Sequence, residues 1–317
     1  MTSLRSTLKS ATALAAFTLS FPMASWAEEP IPVVATFSIL GDMVERIGGE
    51  HIALTTLVGP DGDAHVYQPT PKAARSVAES DVLFLNGLDF EGWLERLAEA
   101  ASFDGAMVVA TNGVVPIAFD DHDDHDDHDD HDDEKHDDHD HGAFDPHAWQ
   151  SLENAVIYAN NIAAGLAQAD PENAGDYYAN RAAFVAEVEM LSADIEAIMK
   201  SLPADKRTVV TRHDAFGYFA ATYDLTFVAP QGMSTESEVS AGDMAALITQ
   251  IREESISAVF IESITDKRMM ERIANETGAT IGGTLYSDAL SAKKGPASNY
   301  LDMMRHNATT LFDALEN

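Results

Sequence analysis

Residues 33–60 read VVATFSILGDMVERIGGEHIALTTLVGP. Val33-Val34-Ala35-Thr36 is a short apolar run of the kind that forms a strand buried on both faces. Ile39 to Ile47 carries its apolar side chains at helical spacing, Gly48-Gly49 ends that helix, and Ile52 to Val58 is a second strand stopped by Gly59-Pro60. Strand, helix and strand in this order predict a parallel βα arrangement. The style continues with a strand at Val82 to Leu85, a helix from Phe90 to about Ala101 and a strand at Met107 to Ala110.

From Pro171 to about Leu202 there is no strand signal. Tyr177, Phe184, Val188, Leu191 and Ile195 recur at helical spacing between Asp170-Pro171 and Pro203, which predicts one long helix. Beyond it, Thr208 to Thr211, Thr226 to Val228, Ala258 to Ile261 and Ala279 to Ile281 read as short buried strands. Helices are predicted between them near Ala215 to Ala221, Ala241 to Glu254 and Asp266 to Thr277. The predicted fold class is α/β, with two parallel-sheet lobes joined by one long helix. The expected division is 28–170 for the first lobe, 171–203 for the linker helix and 204–317 for the second lobe.

Residues 1–27 have the composition of an export signal: Arg5 and Lys9, an apolar stretch from Ala11 to Phe21, and the small residues of Ser25-Trp26-Ala27 before a cleavage point. Cysteine is absent, so disulfides, thiolate ligands and a lipidated cysteine are all excluded. These two readings together predict a free periplasmic protein that is not a lipoprotein. The formal charge is −34, which argues against nucleic acid and anionic membrane as partners and favours cations.

Much of that charge lies in one tract. Asp120 to His141 reads DDHDDHDDHDDHDDEKHDDHDH and holds 14 acidic residues and 7 of the chain's 12 histidines. Such a segment cannot bury a core, and acidity alone would mark a solvated linker. Interleaved imidazoles add nothing to solubility at neutral pH, so His122, His125, His128, His131, His136, His139 and His141 are read as weak auxiliary metal ligands in a disordered loop spanning 119–142. A tract without fixed geometry is not selective, so a selective site must lie elsewhere.

Three other histidines sit in turns that follow strands or are expected to: His65 in Gly62 to Pro71, His147 in Phe144 to Trp149, and His213 in Thr211 to Phe216. Ligands of open parallel sheets gather at the carboxyl ends of strands, where these turns converge. Taken singly, each would more often be a satisfied turn residue or helix cap. His51, at a strand start, and His306, in the terminal helix, keep that structural reading.

At these turns the chain resembles the zinc-binding solute receptors of ABC importers. The resemblance is carried by the export signal, Ala64-His65-Val66-Tyr67-Gln68-Pro69-Thr70-Pro71, Asp145-Pro146-His147 after the His-rich insertion, Arg212-His213-Asp214-Ala215-Phe216 and Leu285-Tyr286-Ser287-Asp288-Ala289-Leu290. It implies a metal site in the cleft between the lobes, with His65 and His147 from the first and His213 and Asp288 from the second. It also implies Zn2+ as cargo, a monomer, a permease and its ATPase as partners, and a metallochaperone as a further one. Manganese receptors resembling this chain place a carboxylate where His213 stands. Some relatives carry Glu where this chain has Ala64, which strengthens Asp288 as the fourth ligand, and others have a second-lobe disulfide that this chain cannot form.

Three imidazoles and a carboxylate suit the tetrahedral preference of zinc, and a closed shell suits carriage. Asp145, Asp214 and Glu262 are candidates to accept the other ring N–H of a ligand, against the simpler readings of turn former, helix cap and ion-pair partner. A zinc hydrolase would need an open position and a base, and no HExxH pair occurs. A zinc buffer or metallochaperone without its own transporter is the alternative, although two well-formed lobes exceed what storage needs.

Overall fold

The computed structural model describes residues 29–118, 144–236 and 238–316. The expected export signal and the His/Asp tract with its seven histidines lie outside these residues. Two four-stranded sheets, each entirely parallel, organise the chain.

In the first, β1 (Ile31–Phe37) pairs with β2 (Ile52–Val58) from Ile31 opposite Ile52 to Phe37 opposite Val58. Between them α1 (Ser38–Gly48) buries Ile39, Leu40, Met43, Val44 and Ile47 on one face and stops at Gly49, whose φ of 58° a side chain would resist. α2 (Pro71–Ala78) follows, started by Thr70, whose hydroxyl accepts from Ala73 N–H, and by Pro71 in its first turn. β3 (Val82–Leu85), α3 (Leu94–Ala101) and β4 (Ala106–Val109) complete the sheet in the order β2-β1-β3-β4. The direction of winding therefore reverses between β1 and β3, which opens a crevice at the carboxyl ends of the strands.

α4 (Leu152–Ala169) then leads to α5 (Ala174–Lys200), a helix of 27 residues. It buries Tyr177, Phe184, Val188, Leu191, Ile195 and Met199 along one stripe. The second sheet is built from β5 (Thr208–Val210), α6 (Gly217–Tyr223), β6 (Thr226–Val228), α7 (Ala241–Glu253), β7 (Ala258–Glu262), α8 (Arg268–Thr277) and β8 (Thr280–Leu285), in the order β6-β5-β7-β8. α9 (Tyr300–Leu315) closes the chain. α5 packs on α1 and α4 beside the first sheet and on α9 beside the second; a large apolar core runs through both lobes and this helix, and a smaller one lies beneath α7 and α8. Hydrogen bonds also cross between lobes: Leu290 N–H donates to Ser38 Oγ at 2.9 Å, and Tyr300 N–H to Asp42 Oδ2 at 2.9 Å.

Some elements differ from the sequence expectation. Phe90 to Trp93 form a turn before α3, because Gly87, Leu88 and Asp89 all adopt positive φ and curl the chain there. β8 runs on to Leu285 through Gly282-Gly283, past an irregular register opposite Val259 and Phe260. α2 and α4 are additional to the predicted elements.

Candidate metal centre

His65 lies in the loop between β2 and α2. Asp63 shapes that loop by accepting from His65 N–H at 2.9 Å, while Trp93 Nε1–H holds the Ala64 carbonyl at 2.8 Å. The edge of the Phe90 ring backs the imidazole at 4.8 Å between centroids. His147 follows Pro146 in a tight turn ahead of α4. Asp145 Oδ1 accepts from its backbone N–H at 2.9 Å and lies 2.8 Å from its Nδ1, so one carboxylate fixes both the turn and the ring.

His213 follows β5. Glu262, at the end of the neighbouring β7, accepts from Arg212 N–H at 2.7 Å and from His213 N–H at 2.9 Å with Oε1, and its Oε2 lies against His213 Nδ1. Asp288 follows β8, beside a carbonyl gripped from the first lobe: Ser287 O accepts from Trp149 Nε1–H at 2.9 Å and from Gln150 Nε2–H at 2.8 Å. Of the three carboxylates weighed as ring partners, Asp145 and Glu262 take that place. Asp214 lies beside the site, its carboxyl pushed up by burial and by Asp145.

The four chains meet between the lobes. His65, His147, His213 and Asp288 each offer one donor atom, all within 4.8 Å of one another, and all four residues are buried. His65 Nε2 is 3.3 Å from Asp288 Oδ2, His213 Nε2 is 3.2 Å from the same oxygen, and His147 Nε2 is 3.6 Å from Asp288 Oδ1. A tetrahedron with bonds of about 2.0–2.1 Å has edges of about 3.3 Å, close to the three separations between the imidazole Nε2 atoms and the Asp288 oxygens. These three Nε2 atoms and both Asp288 oxygens are buried without a hydrogen-bond partner, which a protein interior seldom tolerates unless an ion or water completes them.

Charge accounts for the cohesion of the set. Burial would lower the His213 pKa, but Glu262 and Asp288 outweigh it and hold the imidazole well above its ordinary value. Burial would raise Asp288, but His213 and His147 outweigh it and hold the carboxyl well below the usual range. The histidines read as structural stand apart: His51 Nε2 meets Asp176 Oδ2 at 2.9 Å, and His306 Nε2 meets Thr284 O at 3.0 Å.

A family model described as the periplasmic component A of the zinc-uptake complex, ZnuA, matches residues 33–314. The chain belongs to the ZnuA family. It is thereby a solute-binding protein and not an enzyme, the substrate-binding receptor of a metal ABC importer, with a permease and an ATPase as partners. The manganese-binding lipoprotein MntA of Halalkalibacterium halodurans is 31% identical over 288 residues, covering 90% of this chain and 89% of that protein. The metal ABC transporter substrate-binding lipoprotein SloC of Streptococcus mutans is 30% identical over 295 residues, covering 91% of each. Among solved structures, the periplasmic zinc binding protein TroA from Treponema pallidum is similar with a TM-score of 0.81 and 26% identity, over 92% of this chain and 100% of that one. The two lobes are those of this receptor fold.

One expectation is corrected by these relatives. MntA and SloC are named as lipoproteins, which stands against the expectation of a free periplasmic protein. The expectation rested on the missing cysteine. Losing one attachment chemistry does not establish that a chain is unattached. Among the described residues no helix is long and apolar enough to cross a membrane.

No local signal marks Phe90 and Trp149, whose rings lie against the imidazoles, or Asn86, which bonds Pro146 O and is itself held by Glu91 and Tyr158. Buried polar residues and surface ones look alike in a single sequence.

Proposed function

We propose that this ZnuA-family receptor carries zinc, holding one Zn2+ on His65, His147, His213 and Asp288 and delivering it to the permease. The observation that supports this most is the donor set: three imidazole Nε2 atoms and one carboxylate at 3.2–3.6 Å. Nitrogen-rich, four-donor shells suit Zn2+, whereas Mn2+ is better served by oxygen. Asp145 and Glu262 strengthen the case by leaving Nε2 of His147 and His213 directed inward as the free donor atoms.

Manganese is the rival reading, favoured by the name of MntA. His213 is the residue that argues against it, since by resemblance manganese receptors have a carboxylate there. Competition titration of the parent and of His213→Glu tests the choice. Zinc should displace manganese from the parent by a wide margin, and the substitution should weaken zinc more than manganese. A parent that prefers manganese would sink the zinc reading, and an unchanged preference in the variant would remove His213 from selectivity.

The His/Asp tract has a supporting role in this proposal, as a weak collector of the same ion. Ala118 and Phe144, which flank it, pair with each other, and Phe144 stands three residues before His147. A metallochaperone would load the receptor by the same route.

A further inference from the structure

We propose that Asn86, braced by Tyr158, is the positioning residue for the turn that carries His147. The inference rests on the reading above, in which His147 binds the metal. Asn86 stands at the carboxyl end of β3, fully buried, where the sheet's winding reverses beside β1. Its Nδ2 donates to Pro146 O at 2.8 Å and to Gly87 O at 3.0 Å, and its Oδ1 accepts from the Tyr158 hydroxyl at 2.5 Å. The backbone is held as firmly: Asn86 N–H donates to Glu91 Oε1 at 2.7 Å, and Asn86 O accepts from Thr111 Oγ1 at 2.7 Å. An amide is the one neutral side-chain group that can donate twice from one end and accept at the other.

The surrounding loop is shaped to keep that amide aimed. Gly87, Leu88 and Asp89 have φ of 89°, 54° and 59°, a succession that L-residues hold only when their surroundings enforce it. The curl returns Glu91 beneath the start of its own loop, where it accepts from Asn86 N–H, from Gly87 N–H at 3.3 Å and from Thr36 Oγ1 at 2.6 Å. It also sets the Phe90 ring against His147, 6.0 Å between centroids, as well as against His65. Burial, then the Glu91 charge, pushes the Tyr158 hydroxyl well above its ordinary range, so it remains a donor to Asn86. The chain of contacts from α4 through Asn86 ends on the carbonyl immediately before His147. A donor displaced by a fraction of an ångström no longer completes the shell.

The test compares Asn86→Leu, Tyr158→Phe and His147→Ala with the parent by zinc affinity, by the visible spectrum of the Co2+-loaded protein and by melting of the metal-free protein. Asn86→Leu should bind zinc about 10–100-fold more weakly, the usual loss when a ligand's supporting partner is removed. Its Co2+ spectrum should change because the donors are rearranged. Tyr158→Phe should weaken zinc binding in the same direction but less than Asn86→Leu, because it leaves both Asn86 donor bonds in place. If Asn86→Leu only lowers the melting temperature and keeps the parental affinity and spectrum, the residue is structural and the inference is overturned. If that variant does not fold, Tyr158→Phe decides, and parental affinity and spectrum there overturn the inference too. Parental affinity in His147→Ala would instead remove the site reading, a separate failure from either of these.

Discussion

Zinc binding should expel a proton from His213, and that proton can be counted. In the metal-free protein burial disfavours the imidazolium, yet Glu262 at Nδ1 and Asp288 Oδ2, 3.2 Å from Nε2, outweigh burial and raise the pKa well above 6.5. The raised pKa favours the imidazolium in the metal-free protein. A metal needs the lone pair on Nε2, so the proton leaves as the ion enters. Because the pKa is raised, protons compete at every pH below it, and affinity should fall about tenfold for each unit of acidification. Calorimetry at neutral pH in buffers of different protonation enthalpy measures the release as the slope of observed enthalpy against buffer enthalpy. A slope showing net proton release is expected, smaller in Asp288→Asn, which removes one of the two carboxylates. No dependence on buffer would refute the reasoning. The stability of the metal-free protein should follow the same charges. The His213 contribution is fully present below the unfolded value near 6.5 and lost as pH rises through the raised one. That of Asp288, whose pKa is depressed, is present above the unfolded value near 3.8 and lost as pH falls through the lowered one.

His65→Ala, His147→Ala and His213→Ala should each weaken zinc binding by orders of magnitude in calorimetry, while His51→Ala and His306→Ala, at residues bonded elsewhere, should change little. Asp288→Ala belongs with the first group, and parental affinity there would assign the fourth position to another oxygen. Glu262→Gln should cost about 10–100-fold in zinc affinity, since a neutral amide holds the His213 ring less well than a carboxylate. Deleting Asp120 to His141 should remove weak zinc equivalents and leave one tight site, with loss of the tight site showing the tract to be structural.

The elements legible in the sequence were those whose local signals agree with their packing. β1, α1 and β2 could be read because an apolar run, an amphipathic repeat and a glycine pair succeed one another without interruption. α4 escaped because much of its buried face is alanine, at Ala155, Ala159 and Ala163, which carries little hydrophobic contrast against its asparagines. α2 was hidden behind Pro69-Thr70-Pro71, which reads as a turn although Thr70 and Pro71 start a helix. At the site, histidines in loops after strands stood out from a sequence whose histidines lie mainly in the tract. Asp288 was legible only through the resemblance, since a lone Asp in a turn has many ordinary uses. Asn86 was not legible at all, because its role depends on Pro146 and Tyr158, 60 and 72 residues further along the chain.

His147, His213 and Asp288 are wholly shielded from solvent and His65 is 8% exposed. An ion held by them would be invisible to the permease, which touches the receptor only from outside. What the transporter can sense is therefore posture: whether the lobes stand as a filled site sets them. Recognition of a filled carrier would then have to rest on the receptor's outline and not on the ion itself.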